Sequence, residues 1–340
     1  MSSRKIMALG KSSLIITLPK EWLNNNNLGR GDKVFLTHQK NRTITISPTL
    51  NVEKRNTEMT IIIETNEESN SIIRKVIGCY LNGYSIIKVR SNNIFNTEQN
   101  NAIRSVVRSL YMRVIKSSSS QVELHTLMDE SMASVSSGVE RMHIITTSMC
   151  QDVMMAFREW DVSRAKSVIA LEDDVDQFMY FLLRLLRSSA STPILANQLG
   201  LDMVDILDYQ TLVHRIERVA DHTTTIANSL VYLLEEHVFL PKQVFHVLHK
   251  ASEIAFEIYD LSVEAFLSRD LENINAIIDK QQAISALEET IKPIPYTEDS
   301  TKKDELCHMC IIRDSITKIG TNAADIAELA IDNAYKMRND

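Results

Sequence analysis

Arg215-Ile-Glu-Arg-Val-Ala-Asp-His-Thr-Thr-Thr-Ile-Ala-Asn228 and Ser315-Ile-Thr-Lys-Ile-Gly-Thr-Asn-Ala-Ala-Asp-Ile-Ala-Glu328 read as two copies of one helix. Ile216 stands in register with Ile316, Arg218 with Lys318, Val219 with Ile319, Ile226 with Ile326 and Ala227 with Ala327. The apolar members recur at helical spacing, so the pairs record one packing scheme used twice. Trp160-Asp-Val-Ser-Arg164 and Arg269-Asp-Leu-Glu-Asn273 mark the same turn, between a first and a second helix, in each copy. From Asp129 onward Gly and Pro are scarce. Asp161 and Asp270 suit helix N-caps, and Pro193 with Gly200, Pro241, and Pro293 with Pro295 interrupt the connections. Six helices are expected, at 130–158, 162–188, 203–236, 242–267, 271–290 and 303–336. Their order is that of a duplicated three-helix bundle, with repeat 1 at 128–238 and repeat 2 at 239–340.

The other end of the chain has a different character. Residues 1–55 hold ten Lys/Arg against three acids, a balance of +7, whereas the whole chain carries -7. Such asymmetry suits a head that meets a polyanion. Leu14 to Thr17 reads as a strand, Pro19 opens a short helix, and Gly29-Arg-Gly-Asp32 forces a turn. Two further strands, Lys33 to Thr37 and Thr43 to Ser47, follow around Gln39-Lys-Asn-Arg42. A unit this small has too little core to stand alone, so a homodimer is expected. Gly10-Lys11-Ser12 is not a phosphate-binding loop, because the position five before Gly10 is Lys5 and not the glycine such a loop needs.

Residues 56–127 form a small α+β connector domain. Met59 to Glu64 and Tyr84 to Arg90 are β-branched runs flanking a helix at 69–81, and a helix at 97–111 leads to a hairpin with strands near 112–116 and 121–127. No chemistry is legible there. The fold class is therefore multidomain: a small β-rich head, a small α+β domain and an all-α C-terminal half.

Several function classes are excluded. The longest apolar stretch, Phe178 to Leu186, is interrupted at Arg184, and Met1-Ser-Ser-Arg-Lys5 has no apolar segment after its charges, so neither membrane insertion nor export is expected. Four unevenly placed cysteines, at 79, 150, 307 and 310, suit a reducing cytoplasm. Cys307-His-Met-Cys310 has no second CxxC to complete a zinc site and sits in a helical context, so its thiols are expected to be core. No catalytic Ser/His/Asp set or HExxH string is present, and the chain is not expected to be an enzyme.

One acidic constellation stands out. Glu172 with Asp176, and Glu217 with Asp221, are carboxylates four apart, each pair on one helix face. If the two helices pack side by side, the four carboxylates converge on one site for a divalent or an iron/zinc ion. The bland alternative is a solvated acidic face with Arg215 and Arg218 as ion-pair partners, and His214 is either a further ligand or a neighbour. Repeat 2 has Thr317 and Thr321 in the matching positions, so any metal belongs to repeat 1 alone.

Two resemblances sharpen these expectations. Gly10-Lys-Ser-Ser-Leu-Ile-Ile-Thr-Leu-Pro-Lys-Glu-Trp22, Leu28-Gly-Arg-Gly-Asp32 and Ile44-Thr-Ile-Ser-Pro48 resemble the AbrB/SpoVT family of swapped-hairpin DNA-binding domains. That likeness implies an interleaved dimer that binds DNA, with Arg4, Lys5, Lys11, Lys20, Arg30 and Lys33 as the candidate contacts. Val168-Ile-Ala-Leu-Glu-Asp-Asp-Val-Asp176 and Arg215-Ile-Glu-Arg-Val-Ala-Asp-His222 resemble the PhoU family of phosphate-signalling regulators, across the helical half. It implies metal ions on acidic pairs and a partner such as a phosphate-transporter ATPase or a sensor protein. A head of the first kind on a body of the second is typical of archaeal members. Together they imply a phosphate-responsive regulator of transcription or transport. The alternative is a dimeric adaptor that modulates a phosphate transporter or sensor without touching DNA.

Overall fold

The computed structural model describes residues 3–10, 13–38, 42–48, 57–127, 134–238, 240–272, 274–290 and 300–337. Lys11 and the break at Pro293 and Pro295 lie outside these. The chain divides into two units, Met1–Arg55 and Asn56–Asp340.

The first unit is two hairpins and a short helix. Strands β1 (Met7–Leu9) and β2 (Ser13–Ile15) pair antiparallel around Gly10, whose φ of 71° suits glycine. Helix α1 (Lys20–Asn25) follows Pro19 as its N-cap, and β3 (Phe35–His38) pairs antiparallel with β4 (Ile44–Ser47). The sequence reading misses β1, since three residues carry too little alternation to register. No described residue of this unit is buried, and Leu9, Leu14, Ile16 and Leu36 are more than half exposed.

The second unit opens with strand β5 (Glu58–Ile63), α2 (Ser69–Leu81), β6 (Ile86–Ser91), α3 (Thr97–Ser109) and the hairpin β7 (Met112–Ser117) and β8 (Gln121–Thr126). The sheet order is β5-β6-β8-β7, with β5 and β6 parallel and the other pairs antiparallel. Alternation sends Ile61, Ile63, Ile87, Val89, Val122 and Leu124 to one face, where Ile72, Val76 and Tyr80 of α2 and Ile103 and Val106 of α3 cover them. Asn96 and Gln99 form a capping box at the start of α3, and the buried Gln99 amide also donates to the carbonyls of Glu64 and Thr65.

The helical half comprises α4 (Val135–Glu159), α5 (Val162–Ser191), α6 (Pro193–Gln198), α7 (Met203–Glu235), α8 (Lys242–Ser268), α9 (Ile274–Thr290) and α10 (Ser300–Ala334). The expected order of three long helices and three more is present, and α4, α5 and α7 correspond to α8, α9 and α10. The short α6 is an addition: Pro193, read in the sequence as a break, starts a helix at its first position, where a missing N–H is no loss. Asp161 caps α5 by accepting from the Arg164 amide. Asp270 departs from its expected role: helix α9 begins at Ile274, and the Asp270 carboxylate accepts from the Glu272 amide instead. Trp160 and Arg269, the residues before these aspartates, both adopt the left-handed conformation, with φ of 56° and 61°. The duplication thus extends to the turn geometry.

The trios do not form separate cores. One apolar cluster runs from Val135 to Ala330, because α7 packs on α10 and α4 on α8 across the repeat boundary. Ile216, Ile316, Val219, Ile319, Ala227 and Ala327 are each at most 2 % exposed. Gly320 faces α9 so closely that a Cβ would stand 2.6 Å from Ile284 Cδ1. Among the described residues no helix is long and apolar enough to cross a membrane.

Arg184 ties the α+β layer to the helices. It is 4 % exposed, its guanidinium donates to the carbonyls of Tyr80, Gly83 and Tyr84, and it lies 4.8 Å above the Tyr80 ring centroid. These acceptors surround the C-terminal end of α2, where unpaired carbonyls and the helix dipole favour a cation. Arg187, one turn along on the same face, adds bonds to Leu81 and Asn82. Replacing Arg184 by Met keeps the bulk but removes the charge-assisted bonds to three carbonyls, of which Tyr80 keeps the Gly83 amide and Gly83 the Thr57 hydroxyl, and urea unfolding should show a loss of about 2–3 kcal/mol. The exposed Arg187→Ala should cost under about 1 kcal/mol in the same assay.

Candidate metal centre and nucleic-acid interface

Helices α5 and α7 pack side by side and set their acidic pairs against one another. Asp176 from α5 and Glu217 and Asp221 from α7 each offer a carboxylate oxygen, all within 4.8 Å of one another. Among the described residues this is the one such group. Each of the three is half-buried because the residues beside it, Val175, Ile216 and Ala220, point into the core. Glu172, a turn before Asp176 on α5, has its carboxyl pushed up by burial and by the charges of Asp221, Asp176 and Asp173 without joining the group. Of the four carboxylates read in the sequence as converging, three lie within 4.8 Å of one another and Glu172 lies outside that group. His214 is exposed and outside the group.

Crowding marks the electrostatics. Burial pushes the Glu217 carboxyl up to about 7, helped by the charges of Asp221 and Asp176 and by a hydrogen bond to Asp221. Burial, then the charges of Asp221 and Asp173, pushes Asp176 up to about 6. Asp221 is raised by burial as well, though the bond from Glu217 and the charge of Arg218 oppose the rise. Protonated Glu217 thus donates to Asp221. The cations foreseen as ion-pair partners do not play that part: Arg215 turns to α10, where it meets Asp325 at 2.8 Å and Asn322 at 3.1 Å. Arg218 is exposed and, among the described residues, forms no ion pair with either acid. Three half-buried carboxylate oxygens without a bridging base suit a hard cation. In repeat 2 the corresponding Thr317 and Thr321 donate to carbonyls of their own helix, so that copy has no such set.

His222, next to Asp221, is held neutral. Burial first, then the charges of Lys318 and Arg218, push its imidazole down to about 4. The Cys307 string corrects an expectation: its core member is Met309, 2 % exposed, while Cys307 is exposed and Cys310 half-buried. The difference is a matter of phase, since the intervening residue takes the inward face.

In the head, the described DNA-contact candidates are all exposed. Arg4 and Lys5 precede β1, Lys20 opens α1, and Arg30 and Lys33 flank Gly31 and Asp32. Asp32 accepts from the Gly29 amide at 2.7 Å, and Gly31 has a φ of 98°, so one tight turn presents both Arg30 and Lys33.

The acidic trio makes a pH prediction. Glu217 and Asp176 titrate higher in the fold than in the unfolded chain, so the folded state holds more protons between about 4.5 and about 7. Stability must then fall as pH rises through that window. In chelator-treated protein at alkaline pH, Glu217→Gln should raise Tm by up to about 2–4 °C, solvent screening limiting the gain, and flatten the dependence of Tm on pH across the window. A slope unchanged by the substitution would place the strain elsewhere.

Comparison with protein families matches residues 139–230 to the PhoU domain, which spans most of α4, all of α5 and most of α7. Residues 7–54 match the family described as antidote-toxin recognition MazE, bacterial antitoxin. Comparison with curated proteins gives no match. Among solved structures, the chain is similar to the crystal structure of PhoU from Pseudomonas aeruginosa, with 18% identity and a TM-score of 0.48 over 60% of this chain and 96% of that one. The chain carries a MazE/AbrB-type domain at its N-terminal end and a PhoU domain within its helical half.

Proposed function

We propose that this chain is a non-enzymatic, phosphate-responsive regulator that binds DNA as a homodimer through its head and senses its signal through the helical half. A coincidence within one chain carries the reading. The PhoU match covers the helices that hold Asp176, Glu217 and Asp221, and the MazE match covers a cationic unit in which no described residue is buried. A divalent or an iron/zinc ion is held by Asp176, Glu217 and Asp221, with Glu172 at the rim, and offsets the mutual repulsion of the carboxylates. The signal comes by contact with a phosphate-transporter ATPase or a sensor protein. The exposed strands of the head favour pairing with a second copy, which would also serve an adaptor that never touches DNA.

Mobility-shift titrations across a salt series separate the two readings. Neutralising Lys20, Arg30 and Lys33 together should weaken DNA binding and reduce the slope of log K against log salt by about 0.9 for each DNA phosphate that the variant no longer neutralises. DNA occupancy that does not respond to these changes favours the adaptor. Metal analysis of the purified protein should find bound ion in the parent and none in Glu217→Ala or Asp221→Ala. Equal metal content in all three would dismiss the ion site.

A further inference from the structure

The sheet of the α+β layer has two faces, and the helices use one of them. Helices α2 and α3 cover the side to which Ile61, Ile87, Val89 and Leu124 point, and the helical half meets the layer through those helices, at Arg184 under the end of α2 and at Gln177 under the end of α3. The other side of the sheet faces solvent. Alternation places Lys88 and Arg90 of β6 there, while Ile87 and Val89 between them turn inward. On β7 the bulge between Val114 and Lys116 keeps Lys116 on the outer side with Arg113. The strand registers then lay the outer side out in three rows: Arg90 beside Gln121, Lys88 beside Glu123 and Lys116, and His125 beside Arg113. Successive rows are about 6.6 Å apart.

Charge is sorted between the faces. Residues 56–127 hold eight Lys/Arg and six acids, and four of those acids, Glu64, Glu67, Glu68 and Glu98, gather where α2 and α3 begin. The outer face keeps four of the bases and two acids, and both acids are already paired. Glu58 meets Lys88 at 2.5 Å, and Glu123 meets His125 at 2.7 Å and Lys116 at 3.8 Å. Arg90 and Arg113 are exposed, flank these pairs about 13 Å apart along the strand direction, and among the described residues form no ion pair. Residues 128–340, with nineteen Lys/Arg against thirty-five acids, pack behind α2 and α3, on the far side from this face. A polyanion approaching Asn56–Asp340 is therefore repelled by the helices and drawn to the sheet. The outer face has no Phe, Tyr or Trp on which unpaired bases could stack, so it does not suit a single strand. Its rows of cations suit the phosphates of a duplex.

We propose that the outer face of this sheet is a second contact for duplex DNA, meeting the phosphate backbone through Arg90 and Arg113, with Lys88 and Lys116 between them, while the head holds the same molecule. The inference rests on the DNA-binding reading of the head. Strand β5 follows β4 after the ten residues 48–57, so DNA held by the head is present at the sheet at high effective concentration, and contacts too weak to act alone add to the same complex. Phosphate contacts carry no sequence information, so the sheet adds affinity and salt dependence and leaves the choice of sequence to the head.

The test is a mobility-shift titration of the full chain with duplex DNA over a salt series. It compares the parent with Arg90→Gln plus Arg113→Gln, and with Arg74→Gln plus Arg104→Gln, an equal change of charge on exposed residues of α2 and α3 in the opposite layer. The sheet variant should bind about fivefold or more weakly at moderate salt, its slope of log K against log salt reduced by about 0.9 to 1.8 for the one or two phosphates released. The helix variant should match the parent, and Arg90→Lys plus Arg113→Lys should recover most of the loss. Neutralising Lys20, Arg30 and Lys33 reads the head separately. A sheet variant with the parent's affinity and slope, alongside a head variant that loses binding, would overturn the inference and leave the head's role standing, whereas a parent that binds no duplex would remove both. An equal loss in the helix variant would reduce the effect to net charge and overturn the inference. So would a lower sedimentation mass of the sheet variant, since the face would then belong to the acidic half of a second copy.

Discussion

The antiparallel packing of α7 on α10 is the constraint from which the rest of the helical half follows. Each is the last helix of its trio, and each presents the same apolar face, so their contact joins two copies of one design into a single interior. Isolated three-helix units would each expose such a face. Fusing them removes that area from water at a gain of about 25 cal/mol for each Å² of apolar surface. With the core faces committed to one another, the polar residues between them are sorted by position: Glu217 and Asp221 meet Asp176 of α5, and Arg215 meets Asp325 of α10.

Much of this was legible in the sequence because duplication writes the packing pattern twice. The matched isoleucines, valines and alanines of the two repeats identified the buried face, and carboxylates four apart identified a shared surface on each helix. Convergence of Asp176 with Glu217 and Asp221 depended only on α5 and α7 being neighbours, which a three-helix trio guarantees. Less legible features arise from partners distant in sequence. Arg184 looked like a charge interrupting an apolar run, and its purpose is set by carbonyls about a hundred residues earlier, at the end of α2. The inward turn of Met309 in place of its flanking cysteines depends on helix phase. The pairing of Arg215 with Asp325 required the register of α7 against α10, which no single-helix pattern contains.

Arg184 and the acidic trio also share a helix. Asp176 lies two turns before Arg184 on α5, and between them Tyr180 packs against the cores of both the α+β layer and the bundle. Gln177 donates to the Arg108 carbonyl at the end of α3, and the Tyr111 ring meets Phe178 and Phe181 edge-on. A change in charge at Asp176 therefore acts on the same rigid element that holds the α+β layer in place. The layer that showed no chemistry in the sequence is mechanically continuous with the carboxylate cluster.

The head differs from everything after it in that none of its described residues is interior. A unit whose side chains are at least partly wetted draws its stability from whatever comes to cover its strands, so its ordered fraction obeys mass action and rises with the abundance of that covering surface. Where the covering surface is a second copy, as proposed, dilution alone would loosen the head, while the core of the helical half is supplied by its own helices. Cellular copy number would then become a physical variable for the head of this polypeptide.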